Sequence, residues 1–250
     1  MSVRVRPGPP DKRKHPGRDV FLFCCLGGSV YNRIMKLESD GILIGLRPFN
    51  ERDAIARVFT RDFGVLVGMM RGANVAKKNR PLVGQVGVVT WNARLDSQLG
   101  TFHWESEKNL SAPIMMNSDV LLDMNAAFEI LSVLLPEREE YKVLYDHTLD
   151  LLVALGGGNV QAYLSWEIKL LRELGYALDL SKCSGCGGTN ALHYLSPCTG
   201  RAVCDKCAAP YIDKLFKLPL GINVTVRFLE NICLQQGVTI PSVRRMLKKD

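Results

Sequence analysis

At 250 residues, 47% hydrophobic and 23% charged, the chain has a globular composition with room for one large or two smaller domains. No run approaches the ~18 consecutive apolar residues of a membrane span, Val20–Leu26 being the longest candidate. The formal charge of +7 is unevenly placed: residues 1–34 hold seven Lys/Arg against two acids, 35–112 eleven against eight, 113–180 four against eleven and 181–250 ten against four. Two mildly basic segments thus flank an acidic one, and only the basic ones suit phosphate contacts.

In chain order, residues 1–34 come first and read as a disordered leader or as sequence upstream of a true start at Met35. Arg4–Arg18 is basic, carries Pro7, Pro9, Pro10 and Pro16, and lacks apolar periodicity. Val20–Leu26 has a faint secretory look, but no small-residue cleavage site follows before Tyr31 and Arg33. From 35 to 112 the pattern is β. Ile42–Ile44, Ile55–Phe59, Gly64–Met70, Val83–Trp91 and Leu99–Glu105 are rich in branched and aromatic residues and are separated by Gly, Pro, Asn and Asp clusters. Five short strands in that span predict a small antiparallel barrel, which removes its own edges by closing.

Residues 113–250 switch to helical spacing. Val120, Leu121, Met124, Phe128, Leu131, Leu134 and Leu135 share one face, a second helix is expected over 139–155, and a third over 160–174. Gly156-Gly157-Gly158 and Gly175 end the second and third. Further helices are expected near 222–236 and 241–248, with Pro241 in a first turn.

Between them, at 181–210, lies the strongest chemical signal, Cys183-x2-Cys186-x17-Cys204-x2-Cys207. Two residues between cysteines let both thiolates point inward from one tight turn, and two such turns give tetrahedral sulfur ligation, so the spacing reads as one structural Zn2+ per chain. Clustering of this kind belongs to a reducing cytoplasm rather than to a disulfide framework. Cys198 and His193 fall between the pairs and could displace a ligand. Cys198 reads as a free thiol at a hairpin turn and His193 as an ordinary strand residue. Four cysteines close the coordination sphere, leaving no position for a reactive water.

A second, weaker signal is the basic stretch after the third strand: Arg71, Lys77, Lys78 and Arg80. With Phe49, Phe63, Trp91, Phe102 and Trp104 interleaved nearby, this is how small barrels hold single strands, by neutralising phosphates and stacking bases. Any one of these aromatics is more often core. Catalytic constellations are missing from the sequence: there is no GxxxxGK[ST], and His15, His103, His147 and His193 sit in no HExxH or serine-triad context. Glu137, Glu139 and Glu140 read as a solvated turn. The reading is therefore a DNA-binding protein that is not an enzyme, with a zinc-ribbon adaptor that binds only proteins as the alternative and a metal-dependent nuclease or hydrolase third.

The order of parts also matches a family. Asp40–Gly64, followed by Val65–Ala73 ahead of the basic loop, resembles the opening of the bacterial RecO recombination mediators. Trp166–Cys183 is similar to that family's helix leading into its first cysteine pair, and Phe228–Glu230 to Pro241–Arg245 resembles its ending. The resemblance implies an α+β multidomain fold: an N-terminal OB-fold, then an α-helical domain with an inserted zinc-ribbon-like module. It implies binding of single- and double-stranded DNA, annealing of complementary strands, and action with RecR and single-strand binding protein to load RecA, in a cytoplasmic, nucleoid-associated setting. By position it puts Arg71, Lys77, Lys78 and Arg80 in the family's basic loop and Cys183, Cys186, Cys204 and Cys207 on its zinc ligands. The tail of single-strand binding protein would be taken by the helical domain, where Lys169 and Arg172 are the candidate cations. Cys198 and the 34-residue leader depart from the family pattern.

Overall fold

Alternation of apolar and polar residues lays down five strands, β1 (Met35–Pro48), β2 (Ala54–Thr60), β3 (Gly64–Met70), β4 (Gln85–Ala93) and β5 (Gly100–Asn109), in a computed structural model that describes residues 35–75, 80–94, 99–176 and 178–247. The leader and the central part of the basic loop lie outside the described residues. The strands close in the order β1-β2-β3-β5-β4. Alternating directions cannot close a ring with an odd number of members, so one seam must run parallel. That seam is β3–β5, pairing Gly68 with Gly100 and Met70 with Phe102, while the other four are antiparallel. Glycine makes the closure possible: a Cβ on Gly100 would lie 2.1 Å from the Trp91 ring. Trp91 fills the interior beside Leu43, Val58, Leu66, Val89 and Phe102, and its indole N–H donates to the Val67 carbonyl at 3.0 Å.

Strand β1 is far longer than its apolar run at Ile42–Ile44. Lys36, Glu38 and Asp40 are exposed and alternate with the more buried Leu37, Ser39 and Gly41, and this stretch pairs with β4 from Met35 opposite Ala93 to Ile42 opposite Val86. Its outward residues are charged, which hid it from a search for branched side chains.

Helices α1 (Ser111–Ile114), α2 (Ser118–Leu134), α3 (Lys142–Gly156) and α4 (Ala162–Glu173) follow. The Asn117 side chain caps α2 by accepting from the Asp119 N–H at 3.0 Å. Helix α3 starts at Lys142, not at Glu139, because the preceding residues dock on the barrel. Glu137 bridges to Val65, and the Arg138 N–H donates to the Val65 carbonyl at 3.1 Å. Gly64, at φ +62°, lies so close that an added Cβ would sit 1.7 Å from the Glu139 carbonyl oxygen.

The cysteine segment forms a small sheet, β7-β6-β8, from β6 (Tyr194–Leu195), β7 (Ala202–Val203) and β8 (Phe216–Lys217), with α5 (Asp205–Ala208) and a 3-10 turn over Ala209–Lys214 between the last two strands. Helices α6 (Ile222–Gln235) and α7 (Ser242–Met246) complete the fold, with Pro241 in the cap position of α7 rather than inside its first turn. One continuous core joins Ile42, Ile44, Phe59 and Val65 of the barrel to Phe128, Leu131, Leu144, Trp166, Leu195 and Leu229. At ~1.5–3 kcal/mol per large apolar side chain, this contact fixes the barrel on the helices. Arg57 adds a hydrogen bond at 2.6 Å to the Ser132 carbonyl and Arg61 an ion pair at 3.2 Å to Asp146. Among the described residues no helix is long and apolar enough to cross a membrane.

Candidate metal centre and nucleic-acid interface

The first cysteine pair sits on a tight turn. The Gly187 N–H donates to the Cys183 carbonyl at 2.9 Å, and the Cys183 N–H donates to the Gly188 carbonyl at 2.7 Å. Gly187 adopts φ +74°, where a side chain is disfavoured. Gly185 is needed for a different reason, since a Cβ there would come within 3.0 Å of the Cys207 sulfur. The second pair opens α5, with Cys204 as its cap residue. Ser184 N–H to Ala202 carbonyl at 2.9 Å ties one turn to the other.

All four sulfurs lie within 4.8 Å of one another, and those of Cys186 and Cys204 are 3.7 Å apart. A tetrahedron with ~2.3 Å metal–sulfur bonds has edges of about 3.8 Å, so the cluster has the size of a four-thiolate site. Backbone N–H groups of Cys204 (3.3 Å) and Gly185 (3.4 Å) donate to the Cys183 sulfur. The N–H of Cys204 first, then that of Cys186 and more weakly that of Gly185, hold the Cys183 thiol down at about 6. The Cys207 thiol is pushed up to about 12, because it donates to the sulfur of Cys204 and then to those of Cys183 and Cys186. A cation at the centre would replace that shared proton, and the donor set fits one divalent metal ion. Cys183 and Cys204 are buried, Cys207 is half-buried and Cys186 is exposed, and four thiolates on one ion would close its coordination sphere, which suits a strut rather than a reaction centre.

Neither competitor joins the cluster. Cys198 is exposed at the tip of the β6–β7 hairpin. His193 turns to Asp205, with its Nδ1 2.9 Å from a carboxylate oxygen.

Arg71 is exposed in the turn after β3 and Arg80 is exposed ahead of the buried Pro81. Lys77 and Lys78 fall outside the described residues. Of the interleaved aromatics, Trp91 and Phe102 are buried core, Phe63 and Trp104 are half-buried, and Phe49 is exposed. Lys169 is half-buried with its Nζ 3.3 Å from His147 Nδ1, and Arg172 is exposed in the last turn of α4. Glu140 pairs with Lys142 at 3.2 Å and Glu139 accepts from the Tyr141 hydroxyl at 3.3 Å, in an exposed linker with no metal-binding geometry.

One constellation escaped the sequence reading. Glu167 is fully buried, and its carboxylate accepts from Tyr163 (3.1 Å), Thr225 (2.6 Å) and the guanidinium of the equally buried Arg244 (2.8 Å). Arg244 also donates to the Ile222 carbonyl at 2.9 Å. Burial works against the Arg244 charge, yet the bonds and charge of Glu167 outweigh it and raise its pKa above the usual value. Both charges are satisfied, so this is a clamp joining α4, α6 and α7. Helical phase placed Glu167 on the buried stripe with Tyr163 and Trp166, which was the available signal.

The barrel, the helical domain and the four-cysteine hairpin define a class: an OB-fold protein whose helical part carries a cysteine cluster able to hold one metal ion. Two family models match, Recombination protein O N terminal over residues 35–107 and Recombination protein O C terminal over residues 121–236. A DNA repair protein RecO of Jannaschia sp. (strain CCS1) is 38% identical over 209 residues, covering 82% of this chain and 85% of its own length. Those of Ruegeria sp. (strain TM1040), 38% identical over 74% of this chain and 78% of its own, and of Cereibacter sphaeroides (strain ATCC 17025), 36% identical over 86% and 97%, are similar. The chain belongs to the RecO family of DNA repair proteins.

Proposed function

We propose that the chain is a non-catalytic recombination mediator: it binds single- and double-stranded DNA, anneals complementary strands and acts with RecR and single-strand binding protein to load RecA. The observation that carries this reading is the closed OB barrel with Arg71 exposed on the turn that leads directly into Lys77 and Lys78. DNA contact by Arg71, Lys77, Lys78 and Arg80 is supported by their charge and by the exposure of Arg71 and Arg80. The metal is assigned as one structural zinc held by Cys183, Cys186, Cys204 and Cys207, supported by sulfur spacing on the scale of zinc–thiolate sites. Lys169 and Arg172 are assigned to the tail of single-strand binding protein. They share one side of an otherwise acidic segment, and the Lys169 Nζ lies 3.3 Å from His147 Nδ1, with no ion pair to a carboxylate among the described residues.

The test is fluorescence anisotropy with a labelled oligonucleotide over a salt series. Replacing Lys77, Lys78 and Arg80 together by Ala should weaken binding and flatten the dependence of log affinity on log salt by up to three phosphate equivalents, because each phosphate contact releases a counterion. An unchanged slope rejects the loop. No binding at physiological salt by the unaltered chain would favour a zinc-ribbon adaptor. Annealing of strands coated with single-strand binding protein, with and without K169A/R172A, tests the partner assignment.

A further inference from the structure

The β1–β2 turn holds an aromatic ring out of the core and fixes it there. Phe49 is 59% exposed, and among the described residues of the barrel it is the one aromatic left in the open. A loop tip that merely tolerated Phe would be loosely held. This one is braced. The Asn50 side-chain oxygen accepts from the N–H groups of Arg52 (2.8 Å) and Asp53 (2.6 Å). The Phe49 N–H donates to the Asp53 carbonyl at 3.0 Å.

The turn is also stapled to the next one. The Asn74 amide donates to the carbonyls of Asn50 (2.8 Å) and Asp53 (2.7 Å), and the Asp53 carboxylate accepts from the Gly72 N–H at 2.9 Å. Phe49 therefore stands at a fixed position beside the turn that carries Arg71.

Three exposed arginines lie on this turn and on the one stapled to it. Arg47 lies opposite Ile55, which lies opposite Met69; the neighbouring Ala54 and Ala56 face the buried interior, so Arg47 points out of the barrel with the half-buried Ile55 and Met69. Arg52 is inside the turn and Arg71 follows Met70. None of the three makes a close ion pair among the described residues, although, after the Gly72 and Asn50 hydrogen bonds, the charges of Arg71 and Arg52 reach Asp53 and help to lower its carboxyl. Glu51 is the exposed acid nearby, while the Asp53 carboxylate is occupied by Gly72 and Asn50. A solvent-facing ring on a braced turn, with exposed arginines on the same turn and on the one stapled to it, matches a strand whose bases are unstacked and whose phosphates run alongside. In a duplex the faces of the bases are covered by their neighbours, and the ring has nothing to stack on.

We propose that Phe49 is a stacking platform for an unpaired base, with Arg47, Arg52 and Arg71 on the flanking phosphates, and that this turn makes the barrel prefer single strands to duplex. The proposal rests on the reading of the barrel as a DNA-binding domain and adds the residue that discriminates between the two forms.

The experiment measures affinity of the full chain for an oligo(dT) and for a hairpin duplex of equal length, with F49A, F49W and R47A/R52A beside the unaltered protein. F49A should bind the single strand about five- to a hundredfold more weakly and the duplex within about twofold of the unaltered chain, with the salt slope unchanged because no charge is lost. F49W should restore the single-strand affinity, and its added indole fluorescence, taken against the unaltered chain, should be quenched on binding. R47A/R52A should weaken both and flatten the slope. Phe49 is outside the core, so the melting temperature of F49A should not fall. Equal loss on both substrates, or no loss on either, overturns the stacking role while leaving DNA binding by the unaltered chain intact. If the unaltered chain bound neither substrate, the underlying reading would fail as well.

Discussion

Arg244→Ala removes one member of the buried clamp and leaves the Glu167 carboxylate, 0% exposed, with only the Tyr163 and Thr225 hydroxyls as donors. Removing one partner of a buried, hydrogen-bonded pair costs about 3–5 kcal/mol, because the remaining charge stays desolvated. For a chain of this size ~2–4 °C of melting temperature goes with each kcal/mol, so a fall of roughly 6–20 °C is expected. The assay is urea and thermal unfolding followed by far-ultraviolet circular dichroism, with metal saturating so that loss of the cysteine module does not contribute. Arg244→Lys should fall between the two, since an ammonium keeps the charge but cannot bridge Glu167, Thr225 and the Ile222 carbonyl in one plane. The double change Glu167→Leu with Arg244→Met should cost less than either single change, as no uncompensated charge remains. Arg244→Ala within ~1 kcal/mol of the unaltered chain, or strictly additive costs in the double variant, would refute the clamp.

Cys183→Ser should lower metal content and stability together, since binding and folding energy are shared in such modules, whereas Cys198→Ser should keep one metal per chain; inductively coupled plasma mass spectrometry reads both. Gly64→Ala should cost ~2 kcal/mol or more, from a side chain at φ +62° and from collision with the Glu139 carbonyl, and urea unfolding checks it. Metal uptake near neutral pH should release protons. Without a cation Cys183 is ionised above about 6, but Cys207 keeps its proton to about 12 and must give it up on ligation, so affinity should fall as pH drops. Titration calorimetry in buffers of different ionisation enthalpy measures the release.

The cysteine cluster was legible because its geometry depends on local spacing: Cys183-x2-Cys186 and Cys204-x2-Cys207 each fix a turn, and only the hairpin between them is long-range. The barrel was legible in its apolar strands and illegible in Met35–Asp40, where Lys36, Glu38 and Asp40 alternate outward and only the pairing with β4 reveals a strand. The extended start of the linker before α3 was hidden likewise. Glu137–Tyr141 carries three glutamates of fair helix propensity, but docking of Arg138 on Val65 and the approach of Glu139 to Gly64 override it. The Glu167–Arg244 clamp spans 77 residues, and no local pattern could join those two positions.

The two polar devices of the C-terminal half answer a problem of topology. The cysteine segment has strands of two residues each, too short for independent stability, and it carries only a small apolar cluster around Cys183, Val203, Cys204 and Ala208. A metal ion on the four cysteines would hold it from within, and its neighbours hold it from outside. Leu195 of β6 enters the main core, β8 leads into α6, and α6 is locked to α4 and α7 through Thr225, Glu167 and Arg244. Loss of metal should therefore loosen the hairpin locally while the clamp keeps α6 in place, and loss of the clamp should release α6 and α7 with the metal still bound. On this reading a metal ion at the four cysteines would have no direct part at the barrel end where Phe49 and Arg71 are displayed, because rigidity there comes from Asn50, Asp53 and Asn74. Cys183→Ser should accordingly leave oligonucleotide affinity within about twofold at temperatures below its own melting transition, and a large loss there would require a coupling through the core that the clamp is argued to prevent.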